Sequence, residues 1–205
     1  MKRWKIFVSA IIAGCCIGFG AIAFLSVENE IMGAALFTVG LFVICTFELH
    51  LFTGKVCYVF RENRDYLFTI PIIWTGNFVG TWLIAQMTGM TRIAGLSARA
   101  ARLCEGKLSD SLLSIFILAM FCNFFIYVGV EGFKKNPHEI GRYLSLFFGV
   151  MVFILCKYEH CIANMFYFSL ANVWSGKAFL YLLTMTLGNA LGGIAVPALR
   201  HQLQK

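Results

Sequence analysis

Glu48-Leu49-His50-Leu51-Phe52-Thr53-Gly54-Lys55 and Lys157-Tyr158-Glu159-His160-Cys161-Ile162-Ala163-Asn164-Met165 decide how this chain reads. Each is a polar interruption in an apolar run. Residues 31–47 precede the first and 56–60 follow it, while 144–156 precede the second and 166–171 follow it. Ionisable residues at membrane depth are costly and normally face an interior cavity or pathway. Irregular backbone survives there only where protein or water satisfies it. Two such interruptions at corresponding places in two halves point to a midplane binding site.

The surrounding composition makes the membrane the setting. Of 205 residues, 60% are hydrophobic and 13% charged, with mean hydropathy +0.79. Soluble domains are roughly 45–50% apolar and about 25% charged. Stretches without Asp, Glu, Lys or Arg run 6–27, 31–47, 66–91, 111–130, 143–156 with 160–176, and 178–199. At about 20 residues per crossing, the expectation is an all-α membrane protein with six transmembrane helices, segments 2 and 5 broken. The loops are too short for a soluble catalytic domain, so the chain reads as no enzyme and as holding no cofactor. Residues 6–25 are long enough to span and are followed by more hydrophobic segments, unlike a cleavable signal peptide.

Lys and Arg accumulate on the cytoplasmic side of membrane proteins. With the N-terminus inside, Lys2, Arg3, Lys5, Lys55, Arg61, Arg64, Lys134, Lys135, Arg142, Arg200 and Lys205 fall inside, eleven of seventeen. Arg92, Arg99, Arg102, Lys107 and Lys177 fall outside, and Lys157 sits in the second break. The expectation is a multi-pass protein of the inner or plasma membrane with both termini cytoplasmic. The net charge of +7 then reflects sidedness and attraction to anionic lipid, not nucleic-acid binding. The eight cysteines mostly lie in hydrophobic spans without a Cys-x-x-Cys pair, so they read as small packing hydrophobes.

A second correspondence ties the halves together. Gly76-Asn77-Phe78-Val79-Gly80 and Gly188-Asn189-Ala190-Leu191-Gly192 share the pattern Gly-Asn-x-x-Gly; Glu48 to Asn77 and His160 to Asn189 are both 29 residues apart, an offset that another pairing of the breaks shifts by a residue or two, so the motif carries more weight. Three crossings per half give an inverted 3+3 repeat of aquaporin-like kind. Residues 1–205 are expected to form a single transmembrane domain, with repeat A at about 6–91 and repeat B at about 110–199. Glycines at both ends of the motif favour close helix approach, as do Gly14 and Gly18.

Half-helices meeting near the midplane leave N–H groups that suit an anion. His160 brings a group able to donate or accept a proton, with Thr53 and Asn189 placed to orient it. Phe37, Leu41, Leu51, Phe52, Ile126 and Phe153 are candidates for narrow apolar collars, or for ordinary core. Asn123 reads as bonding a neighbouring carbonyl, and Glu48 and Glu159 as accepting N–H groups of the kinked backbone.

Leu51-Phe52-Thr53, Cys122-Asn123, Glu159-His160-Cys161-Ile162-Ala163-Asn164-Met165 and Gly188-Asn189 together resemble the formate/nitrite transporter family over essentially the whole hydrophobic chain. The resemblance implies an aquaporin-like fold, a homopentamer with one pore per subunit, and passage of small monovalent anions or their acids. It implies that His160 is the central histidine, that Thr53 and Asn189 are its partners, and that the six apolar residues form pore rings. Lys107 resembles the lysine of the outer vestibule, where a basic funnel concentrates anions. The chain departs from the family pattern at His50, where Glu usually precedes Leu-Phe-Thr, at Lys157-Tyr158, where Gly-Phe is common, and at Cys161, often Ser. The five residues before Ile6 are too few for the amphipathic helix that family members carry.

The resulting expectation is a channel or proton-coupled carrier for formate, nitrite or hydrosulfide. Pore and substrate residues would be His160, Thr53, Asn189, Lys107, Phe52, Leu51, Phe37, Leu41, Phe153, Ile126, Asn123 and Lys157, with Glu48, Glu159 and Asn164 structural at the breaks. The partners would be the anion, protons and membrane lipid. Two rivals are a membrane redox protein using Cys or His, and an aquaporin-like neutral-solute pore.

Overall fold

The computed structural model describes residues 2–203, without the side chains of Arg200, His201 and Leu203. Lys205 and the Arg200 side chain, assigned above to the inside, lie outside that description. The described residues form helices and their connections, with no strand among them. The order is α1 (Arg3–Leu25), α2 (Glu30–Thr46), α3 (Phe52–Lys55) running into a 3₁₀ turn (Val56–Tyr58), α4 (Arg64–Leu67), α5 (Thr69–Gly89), α6 (Leu96–Ser109), α7 (Leu112–Lys135), α8 (Glu139–Leu155), α9 (Cys161–Leu170) and α10 (Gly176–Leu203). Four helical stretches, α1, 64–89, α7 and most of α10, are long and apolar enough to cross a membrane, while α2 and α9 are shorter apolar helices.

Both interruptions are real breaks, and they are built alike. Helix α2 ends where Glu48 adopts φ 53°, and α8 ends where Lys157 adopts φ 56°. At the first, Leu49 N–H donates to Ile44 O at 2.9 Å and Glu48 N–H to Cys45 O at 3.4 Å. At the second, Tyr158 N–H donates to Phe153 O and Lys157 N–H to Ile154 O, both at 2.9 Å. This is the Schellman ending, which satisfies carbonyls that a terminating helix orphans. Three residues further on, the chain re-enters a helix.

The Asn of each Gly-Asn-x-x-Gly motif holds that re-entry. Asn77 Oδ1 accepts Phe52 N–H at 2.8 Å, and Asn77 Nδ2 donates to Ala10 O (2.8 Å) and His50 O (2.9 Å). Asn189 Oδ1 accepts Cys161 N–H at 2.8 Å, and its Nδ2 donates to Ala119 O and Glu159 O, both at 2.7 Å. Both amides are fully buried. These bonds set the register of the two breaks, which the spacings alone left open. Leu51, not Glu48, corresponds to His160, while Glu48 corresponds to Lys157, His50 to Glu159 and Lys55 to Asn164. The backbone N–H groups at the breaks are met by the amides of Asn77 and Asn189, the Ser9 hydroxyl, the His160 imidazole and backbone carbonyls, so the expected role of Glu48 and Glu159 as their acceptors is not what the structure has.

The motif glycines let α5 pack on α1 and α10 on α7 at backbone distance. A Cβ at Gly80 would run into Ile11 O and lie 2.8 Å from Cys15 N; one at Gly192 would run into Met120 O. By contrast, Gly89 at the end of α5 has nothing within 4 Å. Gly80→Val is therefore expected to cost about 3 kcal/mol or more, at the top of the overpacking range. It should show as a large fall in the detergent melting temperature, while Gly89→Ala stays near the parent. Asn189→Leu strands the Cys161 N–H and the Glu159 carbonyl, each at about 1–3 kcal/mol, and removes a second bond to the Ala119 carbonyl. Its folded yield by size-exclusion chromatography is expected to collapse; an unaltered profile would contradict the capping role.

Candidate functional site

Two cavities lie at opposite ends of α2. One, of about 380 Å³, includes Glu30, Phe37, Lys107, Phe153, Glu159 and His160 in its lining. The other, of about 590 Å³, includes Leu41, Glu48, His50, Leu51, Lys55 and Lys134. Helix α1 gives their placement in the fold. Ser9, near its start, bonds His50 on the Lys55 side, and Leu25, at its end, is bonded by Arg99 on the Lys107 side.

Between the cavities the chain closes to a buried, apolar throat. Phe37 and Phe153 meet edge to face on the Lys107 side, ring centroids 6.1 Å apart, and Phe153 stacks on His160 at 5.7 Å. Leu41 and Leu51 close the Lys55 side. All four are buried, as are Phe52 and Ile126, which line neither cavity. His160 and Thr53 meet in the middle, His160 Nε2 3.0 Å from Thr53 Oγ1, with relative exposures of 2% and 0%.

The local chemistry fixes which way that bond runs. His160 is the N-cap of α9, and its Nδ1 accepts Ala163 N–H at 3.0 Å. A nitrogen receiving a backbone N–H carries no proton of its own, so the neutral ring holds its hydrogen on Nε2. Nε2–H therefore donates to Thr53 Oγ1. Thr53 stands on α3, so this bond joins the two re-entrant helices end to end. Asn189 was expected to orient the imidazole directly; its amide is instead spent on the α9 backbone, one residue away. Asn123 Nδ2 donates to Thr53 O (3.1 Å) and Asn189 O (2.7 Å), tying α7 to α3 and α10.

The half-helix ends are less open than expected. Phe52 N–H, Cys161 N–H and Ala163 N–H are all taken by side chains of the chain itself, and α3 has only four residues. The positive end of a dipole that short is weak.

Lys107 also differs from a free vestibule cation. Its ammonium pairs with Glu159 Oε2 at 2.7 Å, and the same oxygen accepts Asn164 Nδ2 at 2.8 Å. Glu159 is thus a buried counter-ion for Lys107. Across the Lys107 cavity, Arg102, Lys107 and Lys157 are balanced by Glu30, Asp110 and Glu159. Lys157 is exposed at the cavity rim, two residues beyond α8. Glu48 is its exposed counterpart at the other rim.

Sequence reasoning missed α6. Leu96, Ala100, Leu103, Cys104 and Lys107 recur at helical spacing within 96–109 and mark one inward face. Arg99 on this helix donates to Leu25 O (3.0 Å) and to Val27 O, receiving the carbonyls where α1 ends. Part of the expected outside charge excess is therefore structural. His50 was noted only as a departure; the structure gives it Ser9 as a partner, with Nδ1 2.9 Å from Oγ.

The comparisons with known proteins fit this geometry. A family model described as formate/nitrite transporter matches residues 1–202. The uncharacterized transporter YrhG of Bacillus subtilis is 24% identical over 80% of this chain and 68% of its own length. The formate channel FocA of Haemophilus influenzae is 23% identical over 97% of this chain and 86% of its own. A solved structure described as a pentameric formate channel with formate bound superposes with a TM-score of 0.82 at 20% identity, covering 98% of this chain and 96% of that one. With helices apolar enough to cross a bilayer and a family model spanning nearly its whole length, this chain is a membrane protein that belongs to the formate/nitrite transporter family.

Proposed function

We propose that this chain is a channel for small monovalent anions of weak acids, of the formate, nitrite and hydrosulfide class, and that it acts as no enzyme. In this reading residues 1–205 form a single domain of six crossings in an inverted 3+3 arrangement, with the second and fifth broken. Five copies assemble in the cell membrane, both termini cytoplasmic, each with its own pore. The paired break geometry supports the repeat, and the basic residues on the Lys55 side support the orientation. The pentamer is supported by the description of the superposed formate channel.

The observation that carries the function is the donor pair His160 and Thr53, set in a buried apolar throat between two cavities whose linings each include charged residues. An anion entering the Phe37–Phe153 collar would lose its hydration, and an isolated charge in such surroundings costs many kcal/mol. Taking a proton before entry removes most of that cost. Because His160 Nδ1 is occupied by Ala163 N–H, an imidazolium would have to give up the α9 cap. The proton is therefore best supplied from cavity water, with His160 a fixed donor. Its Nε2–H engages Thr53 Oγ1 as acceptor, leaving the hydroxyl hydrogen of Thr53 to meet the passing oxygen or sulfur. Lys107, held by Glu159, supplies local attraction without making its whole cavity basic.

Formate uptake into proteoliposomes is expected to speed up as the external pH is lowered, since the neutral acid forms more readily. His160→Phe, which removes the donor, should slow it about ten-fold or more, as loss of a hydrogen bond to a charged or polarised group would. Uptake indifferent to both pH and His160→Phe would defeat this mechanism. Water permeability measured on the same vesicles separates the anion channel from a neutral-solute pore, which would pass water and exclude formate. Lys107→Leu leaves Glu159 as an unpaired buried carboxylate, at a cost of about 3–5 kcal/mol. Most of the lost melting temperature should return in the double variant Lys107→Leu/Glu159→Leu; no recovery would mean that the pair is not coupled.

A further inference from the structure

The correspondence between the breaks exposes an imbalance between the two cavities. At the Lys107 side, Glu159 and Asn164 stand one residue before and four residues after the central His160, and together with Lys107 they form a neutral cluster. The equivalent places at the other side, around Leu51, are His50 and Lys55. An imidazole replaces the carboxylate and an ammonium replaces the amide. The surroundings do not restore neutrality. Lys134 and Arg142 also line the Lys55 cavity, against Glu48 alone. Glu131, beside this cluster, is taken by Lys135 at 2.6 Å and by the Tyr58 hydroxyl at 2.7 Å. Glu48 and Glu62 act on Lys55 electrostatically, but neither forms an ion pair with it among the described residues. Lys134 rests over the Tyr58 ring at 5.2 Å and forms no ion pair among the described residues.

Three cations facing one carboxylate around about 590 Å³ exceed what a permeant monovalent ion of a few atoms requires. We infer that the Lys55 cavity is a binding site for a multivalent phosphate-type oxyanion, which cannot pass and so plugs the pore from that side. Guanidinium and ammonium groups are the usual partners of phosphate oxygens, and two or more negative charges match the local excess. The Leu41–Leu51 collar at the cavity floor bars onward movement, because stripping water from a multiply charged ion costs far more than from a weak acid able to go neutral. The Lys107 cavity, with equal numbers of acidic and basic groups, offers no such site. Binding at Lys55 stands without the channel reading; only the plugging rests on it.

The test uses the purified protein in a non-ionic detergent, titrated calorimetrically with inorganic pyrophosphate and, separately, with orthophosphate. Saturable pyrophosphate binding is expected, weakened about ten-fold by Lys55→Asn, which installs the residue found at the other break, and also by Lys134→Gln, whose exposed side chain gives up only its contact over the Tyr58 ring. Orthophosphate binding equally well would show that the site reads a single phosphate group; pyrophosphate binding more tightly would show that it reads the extra charge. In proteoliposomes of known protein orientation, formate flux should fall when pyrophosphate faces Lys55 and not when it faces Lys107. No saturable binding of either anion, or binding undiminished in both variants, overturns the site. Equal block from both faces overturns the sidedness. Absence of any formate flux would count against the channel alone, and the titration would still decide the site.

Discussion

Everything in this molecule depends on how two broken helices satisfy their backbone away from water. A helix that stops inside a bilayer exposes carbonyls at one cut end and N–H groups at the other, each costly if left unpaired. Here the carbonyls are met by the Schellman endings after α2 and α8, and the N–H groups by Asn77 and Asn189. Each of those asparagines makes three bonds, two across the break and one back to a neighbouring helix. The glycines flanking them bring that neighbour close enough for the third bond. The motif Gly-Asn-x-x-Gly is thus a clamp in which small size and amide chemistry serve one purpose.

The functional centre follows from a departure from that likeness. Identical clamps hold the two breaks, yet the residue presented at the junction is Leu51 in one half and His160 in the other. A histidine in both places would put two imidazoles face to face in an apolar space; leucine in both would leave the Thr53 hydroxyl without its imidazole partner. With one of each, His160 bonds Thr53 across the junction at 3.0 Å, and the leucine helps to seal one side. The structural residues are duplicated, whereas the residues meeting the lumen differ, down to the His50–Lys55 and Glu159–Asn164 pairs.

Much of this was legible in the sequence because membrane depth leaves so few options. Charges inside apolar runs had to mark interruptions, and a repeated Gly-Asn-x-x-Gly had to mark a repeated packing event. Hydrogen-bond partners were not legible. Asn189 lies close to His160 in space, and only the coordinates distinguish an amide spent on Cys161 N–H from one spent on the ring. Charge state was hidden for the same reason: Lys107 and Glu159 are 52 residues apart, and nothing local in the sequence announces their pairing. Helix α6 escaped because its inward face is built from alanine, cysteine and leucine within a strongly basic stretch, so composition masked its period. The register of the breaks needed the coordinates because Leu51 stands 26 residues before Asn77 whereas His160 stands 29 before Asn189, which makes spacing a poor guide.

The turn residues Glu48 and Lys157 carry a last implication. A left-handed backbone is strained for any residue with a Cβ, by roughly 1–2 kcal/mol, and glycine would adopt it freely. Both positions forgo that relief and place long side chains of opposite sign at the lips of the two openings. The hinge of each break tolerates whatever charge is mounted on it, so the electrical character of either mouth is adjustable by one residue while the clamp beneath stays untouched.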